Sequence, residues 1–176
     1  MTLTCQTVHA LLAPVFKSGP RVIGIDGLDN CRKSALARRL SGHTQHTVIS
    51  LDDLLDKNNG AYVDFIDLDR LRTTVRGGNT IIEGVCLLSV MEKAGLNLDL
   101  LIYVRRHHLG IWEGEDCLGL DLNLEEYLEK LKIAAELFSD TDDAVPKEDL
   151  NTEIIRYHHA FHPHENADLT FSWNDN

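Results

Sequence analysis

The sequence has little cysteine, few aromatic residues and no surplus of positive charge. Its four cysteines, Cys5, Cys31, Cys86 and Cys117, stand far apart with no C-x-x-C pair. That spacing argues against a zinc ribbon, a redox motif or a disulfide framework, and for reduced thiols with structural roles. Aromatic residues make up 6% of the chain and are scattered. They offer no base-stacking platform; Trp112 and Trp173 read as packing groups, and only Trp112 falls where it could cover a ligand. A formal charge of -11 repels phosphate backbones, and without a basic patch it argues against a nucleic-acid partner. No apolar run approaches the roughly 18 residues of a transmembrane helix, and no basic segment followed by an apolar signal core opens the sequence. The expectation is a cytoplasmic protein with no membrane partner; the oligomeric state is not legible.

What is present is a long alternation of apolar strands with helices. With 176 residues and 43% hydrophobic content, the chain suits one domain over 1–176 with a sizeable core. Residues 3–16 read as an amphipathic lead-in helix, closed by Lys17-Ser18-Gly19-Pro20. Strands are expected from Val22, over Thr47 to Ser50, over Thr80 to Ile82, over Leu98 to Val104 and over Leu169 to Trp173. Helices are expected over Lys33 to Leu40, Asp67 to Arg76, Leu124 to Phe138 and Asp149 to Ala160, with a solvated loop over Ser139 to Lys147. Strands that are apolar on both faces and separated by helices imply a three-layer α/β sandwich around a mostly parallel sheet.

The richest stretch is VIGIDGLDNCRKSALARRL, residues 22–40. It reads as a buried strand, a phosphate-gripping loop and a helix in succession. Gly24 and Gly27 allow a sharp turn that brings backbone N–H groups close to an anion, and the following helix directs its positive end at the same place. The candidate phosphate and nucleotide contacts are Gly27, Asp29, Asn30, Cys31, Arg32, Lys33 and Ser34. Lys33 would reach the β- and γ-phosphates, and Ser34 would ligate Mg²⁺. Arg32 stands where the G-x-x-x-x-G-K-[ST] pattern has its second glycine. An arginine there must accept a backbone suited to glycine or reshape the loop.

In open α/β sheets, ligands sit beyond the carboxyl ends of the strands. Ser50-Leu51-Asp52-Asp53 follows one predicted strand, and Glu83-Gly84 follows the next. Carboxylates at that edge can hold Mg²⁺ or orient an attacking hydroxyl, which phosphoryl transfer requires. Asp52 or Asp53 alone also reads as a helix N-cap.

Taken together, GIDG, KSALARRL, VISLDDLL, TIIEGVCLL, LDLLIYVRR and HPHENADLTF resemble, in order and along nearly the whole chain, the uridine kinase-like branch of the phosphate-loop kinases, which includes phosphoribulokinase and pantothenate kinase. The resemblance implies a phosphate-loop nucleoside triphosphate hydrolase fold and transfer of the γ-phosphoryl group of ATP, with Mg²⁺, to a hydroxyl of a nucleoside or similar metabolite. It implies Lys33, Asp52 and Glu83 as catalytic residues, with Asp52 at the acceptor hydroxyl, and Ser34, Asp52 and Glu83 around the metal. Asp168 matches a structural or base-proximal landmark. The region 105–125 corresponds to the family's lid but is poor in arginine beyond Arg105 and Arg106.

Arg32 either supplies a cation for the transferring phosphoryl group or faces solvent. Two further readings therefore stand beside the kinase: a nucleotide-binding or regulatory protein with impaired transfer, and a nucleoside triphosphate hydrolase. The acceptor pocket is expected within 54–76 and 107–130, where Arg70, Arg72 and Arg76 read as a solvated helix face. His158, His159, His162 and His164 cluster near the end of the sequence. His158 and His162 would share a helix face only if the helix reaches that far, and Pro163 argues that it ends nearby; no H-E-x-x-H motif accompanies them, so a zinc site is not expected there.

Overall fold

Strand β2 (Val22–Asp26) lies at the centre of the sheet, parallel to β4 (Thr80–Glu83) on one side and to β5 (Leu100–His108) on the other. β3 (Thr47–Ser50) extends the sheet beyond β4, and β7 (Leu169–Asp175) followed by β1 (Leu3–Cys5) extends it beyond β5. The order is β1-β7-β5-β2-β4-β3, and every pairing along it is parallel. The short β6 (Ile111–Trp112) pairs antiparallel with the end of β5. This computed structural model describes residues 2–55, 62–118, 123–138 and 150–175, with backbone alone for 134–138 and 175. The loop expected over Ser139 to Lys147 lies outside them, as do residues 56–61 and 119–122 of the expected acceptor and lid segments.

Alternating side chains on the strands feed two cores, because successive Cβ atoms point to opposite faces. On one face, Ile23, Ile25, Ile81, Ile102, Val104 and Phe171 pack with Leu11 and Val15 of α1 (Val8–Ser18) and Leu36, Ala37 and Leu40 of α2 (Lys33–Thr44). On the other, Ile49, Ile82, Leu101 and Tyr103 pack with α3 (Leu68–Arg76), α4 (Leu87–Ala94) and α6 (Leu150–Phe161). Helix α5 (Leu124–Phe138) precedes α6, and the short α7 (Pro163–Asn166) leads into β7. The expected three-layer α/β sandwich is the architecture found. Each fully buried Leu or Ile contributes about 1.5–3 kcal/mol by leaving water, so the two cores outweigh any surface pairing. Gly24 is dictated by this packing: a Cβ there would lie 2.5 Å from Leu98 Cδ1 and 2.8 Å from Leu87 Cδ2.

Some expectations need correction. The lead-in helix over 3–16 is a strand followed by a helix: Leu3–Cys5 pairs with β7, and Thr7 then caps α1 by accepting the Ala10 N–H at 3.2 Å. Helix α2 runs past Leu40 to Thr44, and α4, which no sequence signal announced, follows β4. Within 105–125, residues 105–108 continue β5 and residues 111–112 form β6. The beginning of the expected lid is therefore a β-hairpin. No helix of the described residues is long and apolar enough to cross a membrane.

Candidate functional site

The parallel register brings Ile25 of β2, Ser50 of β3 and Glu83 of β4 abreast. The segments that follow these strands therefore emerge at one sheet edge. There they form a cleft of about 420 Å³ lined by Asp29, Asn30, Arg32, Lys33 and Ser34 from the loop and by Asp52 and Glu83 from the neighbouring strand ends. Arg38, one turn further along α2, and Leu150, the first residue of α6, also line it.

Two residues between β2 and α2 adopt left-handed backbone, Asn30 at φ 57° and Arg32 at φ 66°. Arg32 thus takes the glycine-type geometry that its position demands, at a cost of about 1–2 kcal/mol for an L-residue. It occupies the N-cap of α2 without a side-chain capping bond, which leaves first-turn N–H groups to other acceptors. Lys33 is 7% exposed. Its Nζ donates to the carbonyls of Leu28 at 2.6 Å and Gly27 at 3.2 Å, so the loop is wrapped around the lysine amine.

Gly27 and Cys31 form the floor beneath this loop and do not line the cleft. A Cβ on Gly27 would lie 2.7 Å from both Cys31 Sγ and the Val104 carbonyl oxygen. Cys31 is buried, and that burial pushes its thiol up to about 11, so it stays protonated. The hairpin beyond β5 also touches the loop: Arg106 donates to the Asn30 carbonyl at 3.5 Å and pairs with Glu113 at 3.4 Å.

The two predicted carboxylates differ in their surroundings. Asp52 accepts a hydrogen bond from the buried Tyr62 hydroxyl at 2.7 Å. Burial, and then Asp52 itself, hold the Tyr62 hydroxyl above its ordinary value, so it remains a donor. The Glu153 carboxylate of α6 fixes that tyrosine by accepting the N–H groups of Tyr62 at 2.7 Å and Val63 at 3.0 Å. Glu83 is 3% exposed, and its side chain receives no hydrogen bond among the described residues. It lines the cleft together with Ser34 and Asp52, a set of oxygen donors that suits a hard cation.

Sequence reasoning missed the group directly beneath the loop. Asp26, at the end of β2, is fully buried; it accepts the Gly27 N–H at 2.7 Å and a short hydrogen bond from the Tyr157 hydroxyl. Burial pushes its carboxyl up to about 6, against the Tyr157 and Gly27 hydrogen bonds and the Lys33 charge, which favour the ionised form. Tyr157 in turn accepts the Leu88 N–H at 3.1 Å, capping α4 from a distant helix. The signal available was the carboxylate itself, in an otherwise apolar strand ending Gly-Ile-Asp-Gly.

The other expectations fall outside the cleft. Asp168 accepts the Leu101 N–H at 2.7 Å, a structural task. Trp112 lies under the Arg105 guanidinium at 4.5 Å and edge-on to Tyr103, in a packing role. Arg72 pairs with Asp69 at 2.8 Å and donates to the Ala94 carbonyl at 2.9 Å. His158 is fully buried, with Nδ1 at 2.7 Å from the Ile154 carbonyl and Nε2 at 3.0 Å from the Tyr103 hydroxyl. Both of its nitrogens are therefore occupied.

No protein-family model matches the chain, and no curated protein matches it. Among solved structures it is similar to a possible uridine kinase from Bacillus stearothermophilus, at 16% identity and a TM-score of 0.49, over 93% of this chain and 96% of that one.

Proposed function

We propose that the cleft binds a nucleoside triphosphate with Mg²⁺ and transfers the γ-phosphoryl group to a hydroxyl of a nucleoside or similar small metabolite. The observation that carries this reading is the meeting of Lys33 and Ser34 with Asp52 and Glu83 in one cleft at the carboxyl edge of the sheet. Ser34, Asp52 and Glu83 present oxygen ligands only, the donor type a hard cation takes. Bound Mg²⁺ would neutralise charge on the phosphates. In this reading the loop and α2 N–H groups hold the phosphates, and Lys33 leaves the Gly27 and Leu28 carbonyls for the β- and γ-oxygens. Asp52, with one oxygen held by Tyr62, uses the other to orient the acceptor hydroxyl. Arg32 and Arg38 supply positive charge beside the transferring group.

A second reading, nucleotide binding without efficient transfer, is favoured by one observation. The Lys33 amine is already engaged by two loop carbonyls, which an incoming phosphate must displace. Titration calorimetry with MgATP, paired with ADP release measured with and without a panel of nucleosides, tests both. Acceptor-dependent ADP release supports the kinase, and binding alone supports the second reading. Hydrolysis without an acceptor turns the assignment to a hydrolase. In Lys33→Ala, loss of one charge-assisted contact is expected to weaken MgATP by about 10- to 100-fold. Unchanged affinity in that variant would remove the phosphate site from the reading.

A further inference from the structure

Outside the cleft, metal-ligating side chains converge where α6 gives way to α7. His162 bends the chain with φ 47°, Pro163 occupies the first turn of α7, and the N–H groups of Glu165 and Asn166 both donate to the His162 carbonyl at 3.0 Å. One tight turn therefore presents His162, His164 and Glu165 together.

Their ligand atoms all lie within 4.8 Å of one another. His162 Nδ1 stands 3.9 Å from Glu165 Oε2, and His164 Nε2 stands 3.7 Å from Glu165 Oε1. These separations exceed a hydrogen bond, and none of these atoms makes one elsewhere among the described residues. Around a cation with bonds of about 2.0–2.2 Å, neighbouring tetrahedral ligands stand roughly 3.3–3.6 Å apart, so the separations, all within 4.8 Å, would close by about 1 Å at most, a movement that the half-exposed His162 and Glu165 side chains can supply. His164 is 8% exposed and serves as the fixed ligand, while His162 and Glu165, each 49% exposed, leave an approach from solvent.

We propose that His162, His164 and Glu165 form a three-ligand site for a zinc-type divalent cation, with water in the fourth position. Two imidazoles beside one carboxylate select such an ion over Mg²⁺. Arg105 donates to the His164 carbonyl at 3.2 Å, and the Glu165 carboxylate stands 3.7 Å from His164 Nε2. The Arg105 bond also ties the turn to β5, so a bound ion would pin the segment that leads into β7.

The test uses the full chain without an affinity tag. Zn²⁺ is titrated calorimetrically, and Co²⁺ is added as a visible-absorption probe, in wild type, His162→Ala, Glu165→Ala and His9→Ala, with Mg²⁺ as the comparison ion. The expected result is one Zn²⁺ per chain, tetrahedral Co²⁺ bands and a raised melting temperature in wild type and His9→Ala. Affinity should fall at least roughly tenfold in the other two variants, since even outer-shell changes at metal sites cost about 10–100-fold. The altered side chains are half exposed, so circular dichroism is expected to stay unchanged. Equal Zn²⁺ affinity in wild type and both ligand variants, or no stoichiometric binding in wild type, would overturn the proposal.

Discussion

Asp26, hydrogen-bonded by Tyr157 of α6, and His158, the next residue of that helix, are both fully buried and titrate in opposite senses, which gives a sharp test of the packing beneath the loop. Asp26 is raised from 3.8 to about 6, chiefly by burial. Its contribution to stability is present below its unfolded value and is lost as pH rises through about 6, because the folded chain holds a proton that the unfolded chain has released. His158 is lowered from 6.5 to about 4, again chiefly by burial. Its contribution is present above 6.5 and is lost as pH falls through about 4. At 1.36 kcal/mol per pH unit, each difference amounts to about 3 kcal/mol. In the wild-type chain the two nearly cancel across roughly pH 4 to 7, and single substitutions unmask them. Urea unfolding of Asp26→Asn, His158→Gln and wild type, followed by tryptophan fluorescence over that range, reads the variant-minus-wild-type stability and so removes every other titrating group. For Asp26→Asn this difference should rise by about 3 kcal/mol from low to high pH. For His158→Gln, whose amide oxygen can still accept from Tyr103, it should fall by a similar amount. Two difference curves that are flat, or that slope the same way, would refute the reasoning.

The left-handed backbone at Arg32 predicts that Arg32→Val is less stable than Arg32→Gly by about 1–2 kcal/mol. Comparing the two variants by urea unfolding cancels whatever the arginine side chain contributes; equal midpoints would mean that residue 32 does not hold φ near 66°. Tyr62→Phe removes the donor to Asp52 and should cost about 1–2 kcal/mol of stability while leaving MgATP affinity within about twofold, since Tyr62 does not line the cleft. A large loss of nucleotide affinity in that variant would move Asp52 from the acceptor side to the phosphates.

The alternation of apolar strands with helices was legible because a sheet covered on both faces imposes it directly on composition. So was the cleft: residues placed just after parallel strands must emerge at one edge, and Lys33, Ser34, Asp52 and Glu83 do. Other features left no local trace. Strand β1 is three residues long and exists only by pairing with β7. Helix α4 has Cys86 at its N-cap, in left-handed backbone, where a Ser, Thr, Asp or Asn would signal a start. Its cap is the hydroxyl of Tyr157, supplied from far along the chain. A reading that searches for the cap beside the helix cannot find one there.

That observation extends to the whole cleft. Helix α6 carries no motif, yet it reaches the site at several points: Leu150 on its wall, Glu153 holding the tyrosine that steadies Asp52, and Tyr157 on the carboxylate beneath the loop. Hydrogen bonds to charged groups are worth about 1.5–3 kcal/mol each, comparable to burial of a core side chain, so each of these contacts helps to position the site. The groups proposed to bind phosphate and metal follow from the strand ends, where local sequence announces them. Their precise aim follows from a helix whose polar residues look like ordinary surface positions until the fold turns them inward.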